Sequence, residues 1–67
     1  MLTLKINGED RQFPEVLTVA GLIEALGYTG KRIAVEKNGE ILPKSQHAAT
    51  ALASGDQLEI VVAVGGG

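Results

Sequence analysis

The sequence predicts an α+β fold, a mixed sheet with one main helix packed across one face. Three observations predict it. Strand-like apolar patterning occurs near both ends, at Leu2, Leu4 and Ile6 and again from Leu58 to Val64. Between them lies one stretch of helical spacing, Val19, Leu22, Ile23 and Leu26. Asn-Gly dipeptides at 7–8 and 38–39 mark two tight reversals. Residues with a period of two and of 3.6, separated by turn chemistry, bury their apolar sets best as a helix layer on a sheet layer.

Each element follows from local chemistry. Leu2, Leu4 and Ile6 alternate with Thr3 and Lys5, as in a strand with one face in the core. Asn7 and Gly8 both tolerate positive φ, so they form a hairpin turn, and Arg11-Gln12-Phe13 returns as the second strand. Pro14, with no N–H to donate, suits its end. Thr18 is placed to cap a helix at its N-terminus, and Gly27 to close it in the left-handed conformation. Gly21 inside that helix costs roughly 0.8–1.0 kcal/mol relative to alanine. Its presence predicts either a short helix held by packing or a close backbone approach to the sheet. Ile33 and Val35 alternate with Ala34 and Glu36 as a third strand, and Asn38-Gly39 turns the chain into Glu40-Ile41-Leu42, halted by Pro43. Residues 44–53 are aperiodic and predict a loop with a helical turn. Ser54-Gly55-Asp56 is a turn cluster, and Leu58 to Val64, rich in β-branched residues, is the last strand. This order is the β-grasp plan.

Length and composition exclude several functions. Sixty-seven residues make one small domain, read as residues 1–64 followed by a flexible glycine tail at 65–67. The absence of cysteine removes disulfides, thiolate nucleophiles and Cys-based zinc sites. A net charge of −2 with only 3% aromatic residues argues against nucleic acid. No apolar run approaches the roughly 18 residues of a membrane span, and the N-terminus does not read as a signal peptide, so a cytoplasmic protein is expected. No ligand cluster suggests a metal, no bound cofactor is expected, and no residue constellation supports an enzyme, so no catalytic residue is assigned. His47, the lone histidine, is expected at the surface. Glu9-Asp10 beside Arg11 reads as a solvated hairpin tip, and Lys31-Arg32 as surface charge. Gly27 to Arg32 lacks the spacing and the following helix of a phosphate loop.

Two features remain. If Leu58, Ile60, Val62 and Val64 face the helix, Val61 and Ala63 face the other way, where polar residues are usual. They read either as good β-formers without further role or, with Ala34, as a partner-docking patch. Gly65-Gly66-Gly67 reads either as a fraying end or as a functional arm. On a β-grasp domain, such an arm holds its α-carboxylate roughly 10 Å beyond the sheet on a thread without side chains. A carboxylate is acyl-inert because its leaving group is oxide. Joining it to AMP supplies a leaving group that a sulfur nucleophile can displace.

Over nearly its whole length the chain resembles the ThiS family, sulfur carriers of thiamine biosynthesis within the ubiquitin-like β-grasp superfamily. The resemblance runs through Leu2-Thr3-Leu4-Lys5-Ile6-Asn7-Gly8-Glu9, the helix segment Leu17 to Gly27, and Ala34-Val35-Glu36-Lys37-Asn38-Gly39-Glu40-Ile41-Leu42-Pro43-Lys44-Ser45. It closes on Ser54-Gly55-Asp56 and Val64-Gly65-Gly66-Gly67. Lys37 and Lys44 stand where arginine is common, which alters bidentate contacts. The resemblance implies that a ThiF-type adenylyltransferase uses ATP-Mg to adenylate the Gly67 carboxylate. A sulfurtransferase fed by a cysteine desulfurase then replaces AMP, leaving a thiocarboxylate (1-thioglycine) whose sulfur passes to thiazole synthase. Gly65 and Gly66 become the arm that enters partner active sites, and Val61, Ala63 and Ala34 the docking patch. Two other readings stand beside this one: a carrier like the small subunit of molybdopterin synthase, and a non-catalytic ubiquitin-like interaction module with an inert tail.

Overall fold

Two hairpins build the edges of the sheet in this computed structural model, which describes residues 1–63. Strand β1 (Leu2–Ile6) pairs antiparallel with β2 (Glu9–Phe13), from Ile6 opposite Glu9 out to Leu2 opposite Phe13. Asn7 and Gly8 between them hold φ of 50° and 83°, the doubly left-handed turn whose twist matches that of the strands. Because two residues complete the reversal, Glu9 and Asp10 are already strand residues. The expectation of a hairpin tip there is corrected: β2 starts two residues before Arg11. Strands β3 (Ile33–Lys37) and β4 (Glu40–Leu42) form the second hairpin on the same geometry, with φ of 53° at Asn38 and 87° at Gly39.

Strand β5 (Gln57–Val62) enters between the hairpins, parallel to β1 and antiparallel to β3, giving the order β2-β1-β5-β3-β4. The strand that leads toward the C-terminus is therefore central. It ends at Val62; Val64, expected within it, lies outside the described residues, as do Gly65, Gly66 and Gly67.

Helix α1 (Val19–Ala25) crosses one face. The Thr18 hydroxyl oxygen accepts from the Gly21 N–H at 3.1 Å, satisfying one orphan donor of the first turn. At the other end Gly27, at φ 79°, donates to the Glu24 carbonyl, and Tyr28 to that of Ile23, both at 3.0 Å. This pair of bonds is the Schellman closure. Seven residues are too few for a helix stable alone, so packing holds it. A Cβ on Gly21 would find its nearest neighbours at 3.5 Å on the side chains of Leu17 and Thr18, which is ordinary contact, and not on the sheet. The short, packing-held helix is therefore the correct alternative for Gly21. Gly21→Ala is expected to raise stability by about 0.5–1 kcal/mol in urea unfolding with an unchanged m value; a loss of stability would contradict this reading.

The core is the meeting of two faces. Leu2, Leu4, Ile6, Val35, Leu58 and Ile60 rise from the sheet to meet Val19, Leu22 and Ile23 of the helix, and Leu52 closes the side. Leu52 belongs to the aperiodic stretch and is fixed by its N–H donating to the Leu17 carbonyl at 2.9 Å. His47 is also buried, at 7% exposure, which corrects the expected surface position. Pro43, extended at φ −61°, stops β4 and starts a 3-10 turn at Lys44–Gln46, which folds back beneath the helix. The His47 Nε2–H donates to the Leu42 carbonyl at 3.2 Å, and the His47 carbonyl accepts from Ala20 N–H at 3.0 Å. His47 thus ties β4 to the turn through its imidazole and the turn to the helix start through its backbone carbonyl.

Candidate functional site: the root of the C-terminal strand

Strand β5 is held on the β1 side as far as Ile60 and on the β3 side as far as Val62, with Ala63 beyond it. On the β1 side the chain departs at the Asn7-Gly8 turn, but the Asn7 side chain continues the pairing. Its Oδ1 accepts from Ile60 N–H at 2.8 Å and its Nδ2 donates to the Ile60 carbonyl at 3.1 Å, while Asn7 N–H donates to the Leu58 carbonyl at 2.9 Å. A side-chain amide carries the same donor and acceptor as a peptide, so it stands in for the missing strand residue. On the β3 side the register sets Val61 opposite Ala34 and Val62 opposite Ile33, and Ala63 N–H donates to the Arg32 carbonyl at 2.8 Å.

The start of β5 is braced as firmly. Asp56 accepts from Ala53 N–H at 2.9 Å and from the Asn38 side-chain amide at 3.2 Å, with the Lys37 ammonium at 3.9 Å. Asn38 Oδ1 in turn accepts from Gln57 N–H at 2.9 Å, so the β3–β4 turn is locked to the entry of β5. Burial pushes the Asp56 carboxyl up, but the Ala53 amide, the Asn38 amide and the Lys37 charge outweigh it and hold the group below its ordinary value of 3.8. A depressed carboxyl contributes stability that is complete above its unfolded value and lost as pH falls through the folded one. Asp56→Asn is therefore expected to flatten the acid limb of the stability profile below about pH 4. Thermal melts from neutral to acidic pH check this; an unchanged limb would contradict it.

The structure brings the predicted docking residues together in part. Val61 is 64% exposed on the outer face, Ala34 stands directly opposite it, and Ala63 is exposed at the strand end. Sequence reasoning missed Ile41, 78% exposed on β4 and opposite Glu36, which shares the outer face of β3 with Ala34. The Glu40-Ile41-Leu42 alternation carried that signal, since Leu42 is the member that packs on the core. Gly65, Gly66 and Gly67 lie outside the described residues. Among the described residues, no group of three His, Cys, Asp or Glu side chains is placed to hold a metal, and every buried side-chain polar atom has a partner. None of the described helices is long and apolar enough to cross a membrane. What this geometry does is present a strand end, hydrogen-bonded as far as Ala63, with an apolar outer face beside it.

Comparison with known proteins agrees with that geometry. The family model of the ThiS family matches residues 4–67. Over 66 residues the chain is 48% identical to a thiazole synthase of Paramagnetospirillum magneticum and 32% identical to one of Magnetococcus marinus. Each match covers 98% of this chain and 20% of the relative, so the chain spans about a fifth of the length of these curated thiazole synthases. It is 35% identical to the uncharacterized protein ycf40 of Porphyra purpurea, over 98% of this chain and 93% of that one. A crystal structure of the thiamine biosynthesis protein ThiS of Geobacter metallireducens superposes with a TM-score of 0.83 at 33% identity, covering 98% of this chain and all of that one. With its central exit strand and single capped helix on a β-grasp, ubiquitin-like sheet, this chain belongs to the ThiS family.

Proposed function

We propose that this chain is a sulfur carrier of thiamine biosynthesis, a protein co-substrate rather than a catalyst. Residues 1–64 form the carrier domain and 65–67 the arm. The Gly67 carboxylate attacks the α-phosphorus of ATP-Mg on a ThiF-type adenylyltransferase, and pyrophosphate leaves. The terminal sulfur of a sulfurtransferase persulfide, loaded by a cysteine desulfurase, then attacks the acyl carbon and expels AMP, and a thiol reductant cleaves the S–S bond of the resulting acyl disulfide to release the terminal thiocarboxylate. Thiazole synthase takes that sulfur, and the carboxylate returns. Gly65 and Gly66 offer no side chain to obstruct a narrow partner channel. The reading places this chemistry in the cytoplasm.

One observation carries the proposal most directly: the ThiS family match extends over residues 4–67, through all three glycines that the central strand feeds. That a region similar to this chain lies within longer thiazole synthases supports thiazole synthase as a partner. The proposal is tested by incubating the chain with ATP, the adenylyltransferase and a sulfur donor. Intact mass is expected to rise by the difference between sulfur and oxygen, and an unchanged mass would overturn it.

The docking patch is part of the same proposal. Val61, Ala34 and Ala63 flank the strand end on the outer face, and an apolar cluster there suits a protein partner. Val61→Asp is expected to weaken binding to thiazole synthase about tenfold, with unchanged thermal stability because the site is exposed. Titration calorimetry checks it, and unchanged affinity would remove Val61 from the surface.

A further inference from the structure

The helix side of the sheet carries a second feature beside the strand end. A groove of about 640 Å³ opens between the end of α1, the loop from Tyr28 to Arg32 and the turn around Lys44. Ile23 and Ile33 give it an apolar floor, while Lys31, Arg32 and Lys44 are all exposed around it. Those three cations are half of the six Lys and Arg residues in a chain of net charge −2. Glu24 is the one acidic side chain on the lining. The single ion pair among the described residues, Lys37 with Asp56, lies elsewhere and neutralises none of the three.

The position of this groove follows from the backbone. Arg32 accepts the Ala63 N–H at 2.8 Å, so the cationic rim begins where the chain leaves toward its glycines. The rim lies on the helix face of the sheet and the Val61–Ala34 patch on the outer face, both beside Ala63. Exposed lysine and arginine heads spread over an open concavity suit several carboxylates along a segment. A lone phosphate would call for converging, enclosed donors. The apolar floor adds a place for one aliphatic or aromatic side chain.

We propose that this groove takes an acidic segment of thiazole synthase, whose carboxylates pair with Lys31, Arg32 and Lys44 and one of whose apolar side chains covers Ile23 and Ile33. The inference rests on the carrier reading, and thiazole synthase is the occupant because sequence similar to this chain lies within longer thiazole synthases. Such exposed pairs act mainly on encounter rate and on salt dependence.

The test compares binding of the whole chain to purified thiazole synthase at low and high salt. Lys31→Glu/Arg32→Glu is expected to weaken low-salt binding by roughly tenfold or more and to flatten the salt dependence. Lys5→Glu/Arg11→Glu, which changes the charge equally on β1 and β2 outside the groove, is expected to stay within about twofold. Lys44→Ala, a milder change, is expected to cost a few-fold by itself. Circular dichroism confirms that each variant is folded. A groove variant that binds like the unmodified chain, or a control that loses as much, overturns the groove while leaving the carrier reading intact. An unmodified chain that does not bind thiazole synthase at all overturns both.

Discussion

Removing Gly66 and Gly67 is expected to abolish thiamine-independent growth of a strain that relies on this chain, with no change in thermal unfolding. The contrast in readouts is the point of the experiment. The core is complete within the described residues, from Leu2 on β1 to Ile60 on β5, and its closing hydrogen bond is Ala63 to Arg32. Stability therefore resides upstream of the deletion, whereas the acyl group in the proposed chemistry is the last glycine. Growth without added thiamine in the deletion strain would contradict the carrier account. A large fall in melting temperature would show that the glycines are structural instead.

Asn7→Ala is expected to destabilise the domain by about 3–4 kcal/mol, a large share of the net stability of a chain this small. Two costs combine. Alanine at φ 50° is strained where asparagine is tolerated, at roughly 1–2 kcal/mol. The substitution also removes both side-chain bonds to the Ile60 backbone, each worth about 1 kcal/mol. Asn7→Gly separates the two, since glycine accepts the turn but makes no bonds, and about half the loss is expected. Urea unfolding of the two variants measures this. An alanine variant within about 0.5 kcal/mol of the unmodified protein would show that water replaces the amide without cost.

Asn7 also shows how far a sequence can be read. Its turn role was legible because an Asn-Gly pair between apolar alternations has one common outcome. Its second role, completing the ladder of a strand fifty-three residues away, depends on β5 lying beside β1, which no local pattern specifies. The same division holds elsewhere. Thr18 and Gly27 bound the helix as expected because capping is a contact within one turn. His47 and Leu52 were misplaced or missed because their burial comes from the fold of the 44–53 stretch against the helix, not from any period of their own. Val61 was legible as an outward residue from alternation, yet its pairing with Ala34 required the register. Lys31-Arg32 read as plain surface charge because Lys44, which shares their groove, is a dozen positions away and joins them only through tertiary structure.

The claim on which the functional account turns is that sulfur rides on the terminal acyl carbon. The most direct measurement is tandem mass spectrometry of the C-terminal peptide after loading with ATP, adenylyltransferase and sulfur donor. The account predicts that the oxygen-to-sulfur increment appears in fragments containing Gly67 and is lost again once thiazole synthase and its substrates are added. An increment on any other residue, or one that persists through turnover, would contradict it.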